Sequence, residues 1–156
     1  MWQSPAVFLQ QVCDDGKATT THSFTAPAFG TTPPEPTKWD HSSEIDKEAQ
    51  ANLKKIVRRT DIIRLPASIN AIKTPSLVDV LMRFTIFDRG TERSITMHIP
   101  SIGCGDRPEM PQAAWDLICV FADLSERAKT GSPAPENSCG CKSLSEIAVV
   151  QDPRVR

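Results

Sequence analysis

The sequence predicts an α+β domain in which an antiparallel β-sheet with an N-terminal hairpin carries helices packed on one face. Three observations predict it. "VDVLMRFTIFDRGTERSITMHIP" is two alternating runs around "DRGTE", the pattern of a long antiparallel hairpin. "AVFLQQVCDDGKATTTHSFTA" is two β-prone runs around Asp14, Asp15, Gly16 and Lys17, which reads as a second hairpin over residues 5–26. Ile45, Ala49, Leu53, Ile56 and Val57 then form one stripe at helical spacing within residues 43–59.

The elements follow in order. A proline-rich connection over residues 27–37 leads from the first hairpin to the helix at 43–59, where Ser43 with Asp46 three residues later resembles a capping box. The outer face of that helix carries Lys47, Lys54, Lys55, Arg58 and Arg59, placed towards the end that the helix dipole favours for cations. A basic run of this kind is ordinarily a solvated face, and contact with phosphate is the sharper reading. The main sheet is expected within residues 61–124. "DIIRLPASI" is its first strand candidate, with Pro66 pushing it towards an edge. In the long hairpin Val80, Met82, Phe84 and Ile86 point to one side, matched by Ile95, Met97 and Ile99. The other side carries Arg83, Thr85, Ser94, Thr96 and His98, groups that donate and accept hydrogen bonds. That face is either wetted by solvent or bound to something polar.

"EMPQAAWDLICVFADL", residues 109–124, fits two templates. Ala114, Leu117, Ile118, Phe121 and Leu124 make a helical stripe, while Leu117 to Ala122 is also an unbroken apolar run suited to a buried strand. Ala113, Ala114 and "LSERAK" favour a helix; Trp115, Ile118, Val120 and Phe121 favour a strand. A C-terminal segment, 125–156, holds one short helix candidate in "CKSLSEIAVVQ".

With 156 residues the chain is most simply a single domain. Its 18 basic and 19 acidic residues exclude a global polycation, so any nucleic-acid surface must be local. No apolar run approaches the ~18 residues of a membrane span, and the start of the chain lacks a signal-peptide pattern. A soluble protein with no membrane partner is expected. The five cysteines (13, 104, 119, 139 and 141) are an odd number in a chain of ordinary size, which argues against a disulfide framework and for a reducing compartment.

No catalytic, metal or cofactor pattern emerges. His22, His41 and His98 are isolated, and none belongs to a paired-histidine zinc motif. Cys139-Gly-Cys141 lacks the spacer and second ligand pair of zinc modules. Cys104, between two glycines, has no base tied to it by any motif and reads as a loop residue. "IGCG" lacks the Lys-Ser/Thr of a phosphate loop. An enzyme acting on a small-molecule substrate is therefore not expected.

The turn "DDGK", Trp39 after the first strands, "RSITMHIPSI" as second long strand and "EMPQAAW" leading into "DLICVFADLSER" resemble the coat proteins of single-stranded RNA bacteriophages. The similarity is best over residues 78–127 and fainter over 5–39. It implies that residues 109–124 form a strand begun at Pro108 and Pro111. It also implies a homodimer as folding unit, with helices lying across the dimer, and a closed icosahedral shell packaging single-stranded viral RNA on the inward face. By position that face is Arg83, Thr85, Ser94, Thr96 and His98. The implied setting is a virion, and the host cytoplasm during assembly. The chain departs from the family pattern in three ways. It has no tyrosine and only Ile118 and Val120 where a late-strand aromatic would stack on a base, a contact worth ~1–3 kcal/mol. The helix at 43–59 has no family counterpart, and Lys54, Lys55, Arg58 and Arg59 are its candidate RNA contacts. Two terminal helices are implied where one is visible. Cys104, Cys139 or Cys141 is expected to cross-link subunits in an oxidising medium. If residues 109–124 are instead a helix, the order fits a small α+β binding module, RNA-associated or of inhibitor or immunity type, with no shell.

Overall fold

The computed structural model describes residues 7–12, 17–24, 37–73, 79–100, 107–135 and 140–149. Its elements, in chain order, are β1 (Val7–Val12), β2 (Lys17–Phe24), β3 (Thr37–Glu44), α1 (Lys47–Val57), α2 (Thr60–Ile63), β4 (Ser68–Asn70), β5 (Asp79–Asp88), β6 (Thr91–Pro100), α3 (Gln112–Thr130) and α4 (Leu144–Ala148). The fold class is α+β, as expected. The chain divides into two compact units, residues 1–50 with 121–134, and residues 51–120 with 135–156.

In the first unit β1 and β2 form the expected N-terminal hairpin, in register from Val7 opposite Ser23 to Val12 opposite Ala18. The turn residues 13–16 lie outside the described residues. β3 adds a third antiparallel strand alongside β2, taking in Thr37, expected in the connection, and Ser43 and Glu44, expected in the helix. "TKWDHSSE" has no apolar alternation to announce it. The helix starts later than expected, and Asp46 rather than Ser43 caps it, its Oδ1 accepting from the Ala49 N–H at 2.7 Å. Arg127 donates to Asp46 (3.3 Å) and to Asp123 (2.6 Å), and Asp123 also accepts from the Ala134 N–H.

The second unit is built on the sheet β4-β6-β5. β5 and β6 pair without a break from Asp79 opposite Pro100 to Asp88 opposite Thr91. They are joined by a two-residue turn in which Arg89 (φ 51°) and Gly90 (φ 75°) both take the left-handed conformation. Such turns match the twist of the paired strands. β4 runs parallel to β6, so the sheet is mixed rather than antiparallel. The expected strand over "DIIRLPASI" is a short helix, α2, followed by the three residues of β4. Pro66 separates the two, a residue poorly suited to continuing either one.

Residues 112–124 are helical, which corrects the strand that the resemblance implied over 109–124. Pro111 stands just before α3, and its carbonyl accepts from the Ala114 and Trp115 N–H groups, a position where proline's missing donor costs nothing. Gly131 (φ 75°) ends it, its N–H donating to the Arg127 carbonyl. Every residue from Ala113 to Val120 is buried, which is why the segment reads as an unbroken apolar run: a helix covered all round loses its polar stripe. The core also holds Ile56, Ile62, Ile95, Met97, Ile99, Leu144 and Ile147. α4, the expected terminal helix, begins at a capping box of Ser143 and Glu146.

Against the expectation of unpaired thiols, Cys119 of α3 and Cys141 form a disulfide, with Cα atoms 5.3 Å apart. They are 22 positions apart in sequence, so composition alone could not pair them. Cys13, Cys104 and Cys139 lie outside the described residues.

Candidate nucleic-acid interface

The alternation of β5 and β6 sorts their side chains onto two faces. On the inner one Ile95, Met97 and Ile99 are buried and Met82, Phe84 and Ile86 half-buried. On the outer one Arg83, Thr85, Ser94 and His98 are exposed and Thr96 is half-buried. Strand register brings these five together: Arg83 is opposite Thr96, Thr85 opposite Ser94, and His98 opposite Leu81. The Thr85 and Ser94 hydroxyls lie 3.1 Å apart and share a hydrogen bond. No described residue engages the Arg83 guanidinium or the His98 ring in a hydrogen bond or ion pair.

Four residues join this face that the sequence reading left out. Ser68 and Asn70 of β4 stand beside Thr96 and His98, and both are exposed. Leu81 (60 % exposed) and Phe87 (72 % exposed) lie on the same face of β5. Alternation counted on from Arg83 and Thr85 would have placed Phe87 there, an aromatic ring open to solvent with Thr85 two residues before it and the exposed Glu92 directly opposite.

The four basic candidates at the end of α1 part company. Lys54 and Lys55 are exposed. Arg58 forms a two-bond pair with Asp88, Nε to Oδ2 at 3.0 Å and Nη2 to Oδ1 at 2.9 Å. That hydrogen bonding, with the nearby charges of Arg58, Arg89 and Lys54, holds the Asp88 carboxyl below the usual carboxylate range. Three cations thus act on the Asp88 carboxylate at the hairpin end of the sheet, where Glu92 is a second acid. Arg59 is buried, 8 % exposed, and takes no part in any surface. Its guanidinium donates to both oxygens of Asp61, to Asp116 Oδ2 at 2.8 Å and to the Ile147 carbonyl at 3.0 Å. Burial alone would pull the Arg59 pKa down; the hydrogen bonds to Asp61 and Asp116 outweigh it and leave it raised. Asp61 mirrors this: burial pushes its carboxyl up, and Arg59 brings it below the ordinary value.

Two further arginines of this unit brace its elements. Arg93 donates to the Ile62 and Ile63 carbonyls at the end of α2. Arg107 stacks over Trp115 at 5.6 Å and donates to Gln112, which donates in turn to Asp116 at 2.8 Å. Among the described residues no three His, Cys, Asp or Glu side chains converge on a metal position, and no helix is long and apolar enough to cross a membrane. Comparison with protein-family models, curated proteins and solved structures finds no match for this chain.

Proposed function

We propose that this chain is a small α+β binding module, not an enzyme, that holds single-stranded RNA on the open face of the β4-β6-β5 sheet. The observation that carries the reading is the exposed Phe87 ring on the same face as Arg83, Thr85, Ser94 and His98. An exposed aromatic ring is a platform on which any base can stack, while Arg83, four residues along the same strand, takes a phosphate; Glu92, directly across from Phe87, is among the described residues the one acid beside the ring on this face. The hydroxyls of Thr85 and Ser94 can meet the 2′-hydroxyl that distinguishes RNA from DNA. Lys54, Arg58 and Arg89 add positive charge around Asp88 at the hairpin end. With no base-specific pocket in this reading, binding is expected to be sequence-tolerant and strongly salt-dependent.

Fluorescence anisotropy with a labelled single-stranded RNA tests it. Phe87→Ala is expected to weaken binding by about 5- to 150-fold, the equivalent of ~1–3 kcal/mol of stacking. Arg83→Ala is expected to reduce the slope of affinity against salt by about one phosphate contact. Wild-type protein without measurable RNA affinity at low salt would sink the reading.

One observation favours a second reading, the phage coat protein. The resemblance puts the RNA on the polar face of the long hairpin, and Arg83, Thr85, Ser94, Thr96 and His98 share one face of β5 and β6, although α3 stands where it implied a strand. In this reading the chain dimerises, closes an icosahedral shell and packages viral RNA on the same sheet face, within a virion and, during assembly, in the host cytoplasm. Negative-stain microscopy separates the two: closed particles with the absorbance of nucleic acid belong to the coat protein, and a small uniform species to the module.

A further inference from the structure

We propose that Asn70 selects the base at one end of the open face of the β4-β6-β5 sheet, preferring uracil or guanine, which carry a ring carbonyl, over cytosine or adenine, which carry an amine. The inference rests on the RNA reading and adds one discriminating nucleotide to a track that is otherwise sequence-tolerant. Asn70 belongs to a row that crosses three strands: it pairs with His98 of β6, and His98 pairs with Leu81 of β5. All three are exposed. The row offers an imidazole ring, one of the side chains on which unpaired RNA bases stack. An apolar side chain stands on one flank of that ring and an amide on the other.

The amide is held in one orientation. The main-chain N–H of Ile72 donates to Asn70 Oδ1 at 3.0 Å, a turn in which the side chain bonds its own backbone two residues on. An N–H needs an acceptor, so the amide oxygen faces Ile72 and Nδ2, with its two hydrogens, is left for a ligand. The usual contact of asparagine with a base brackets N6 and N7 of adenine and uses both ends of the amide. With its oxygen engaged, Asn70 presents donors. Such a group meets an acceptor at O4 of uracil or O6 of guanine, and another donor at the amines of cytosine and adenine. The backbone fixes where it stands, because the Ala71 N–H donates to the His98 carbonyl and the Thr96 N–H to the Ala67 carbonyl, both at 2.8 Å. Leu81 and Phe87 lie towards opposite ends of β5, roughly 20 Å apart at the rise of a strand. Asn70 and Phe87 therefore meet different nucleotides.

The test is fluorescence anisotropy of the full chain with labelled oligouridylate and oligocytidylate of one length, at one salt concentration. Wild-type protein is expected to bind oligouridylate more tightly by about 2- to 12-fold, the span of one net hydrogen bond. Asn70→Asp keeps the oxygen that receives the Ile72 N–H and replaces the donating nitrogen by an acceptor. It is expected to abolish or reverse the preference, since a carboxylate accepts from the cytosine amine. The ratio is the readout, because the added charge weakens both complexes alike, and a merely structural turn would leave that ratio unmoved. Phe87→Ala is expected to weaken both complexes and keep the ratio. Equal affinity of wild-type protein for the two strands, tighter binding of oligocytidylate, or an Asn70→Asp variant with the wild-type ratio would overturn the inference and leave the RNA reading standing. Binding to neither strand would overturn that reading itself, and this inference with it.

Discussion

Arg59 satisfies two carboxylates and a main-chain carbonyl at once, and its neighbours explain why a buried guanidinium is tolerated here. A buried charge left unpaired costs several kcal/mol, so the surrounding acids must stay ionised for the arrangement to hold. Asp61 provides the pH dependence. Its carboxyl lies below the ordinary aspartate value in the folded chain because burial, which raises it, is outweighed by Arg59. The stability it contributes is therefore fully present above the unfolded value of ~3.9 and is lost as pH falls through the lower folded value. Urea unfolding measured between pH 6 and pH 2 is expected to show this loss, and Asp61→Asn to flatten the acid limb. An unchanged acid limb in that variant would show that Asp61 is not coupled to folding.

At the scale of elements, the long hairpin was the most legible part of the chain because period-two alternation survives when one face is buried and the other is wet. The same alternation located Arg83, Thr85, Ser94, Thr96 and His98 on one face. α3 was ambiguous for the opposite reason: its first half is buried on every side. The signals that decide it stand at its ends, where Pro111 and Gly131 bracket it. β3 and β4 were illegible, one lacking alternation and the other only three residues long. Arg58 and Arg59 look alike in the sequence, and only tertiary partners tell an exposed pair with Asp88 from a buried hub. The disulfide between Cys119 and Cys141 is the element-scale constraint that no pattern announced. Closing a loop of that length restricts the unfolded chain by about 3 kcal/mol in the chain-entropy account. Reduction by a dithiol is accordingly expected to lower stability by about that amount in urea titrations, without abolishing α4, whose capping box is independent of it. A reduced protein as stable as the oxidised one would contradict this.

At the scale of the whole molecule, each unit carries its own three-stranded sheet. The second unit holds the disulfide, the Arg59 hub and the open face, and its chemistry concentrates on one strand pair.

The Arg59 hub also dictates an order of events during synthesis. Its partners Asp116 and Ile147 follow it by 57 and 88 residues. While the ribosome is still making the intervening strands, the guanidinium can find only Asp61, and the core position of Ile147 is empty. The second unit is thus expected to reach its native state only after almost the entire chain has emerged, a high contact order that slows folding. Chains ending at residue 135 should be digested by a protease that spares the full-length protein, and equal resistance of the two would show that the last helix closes nothing.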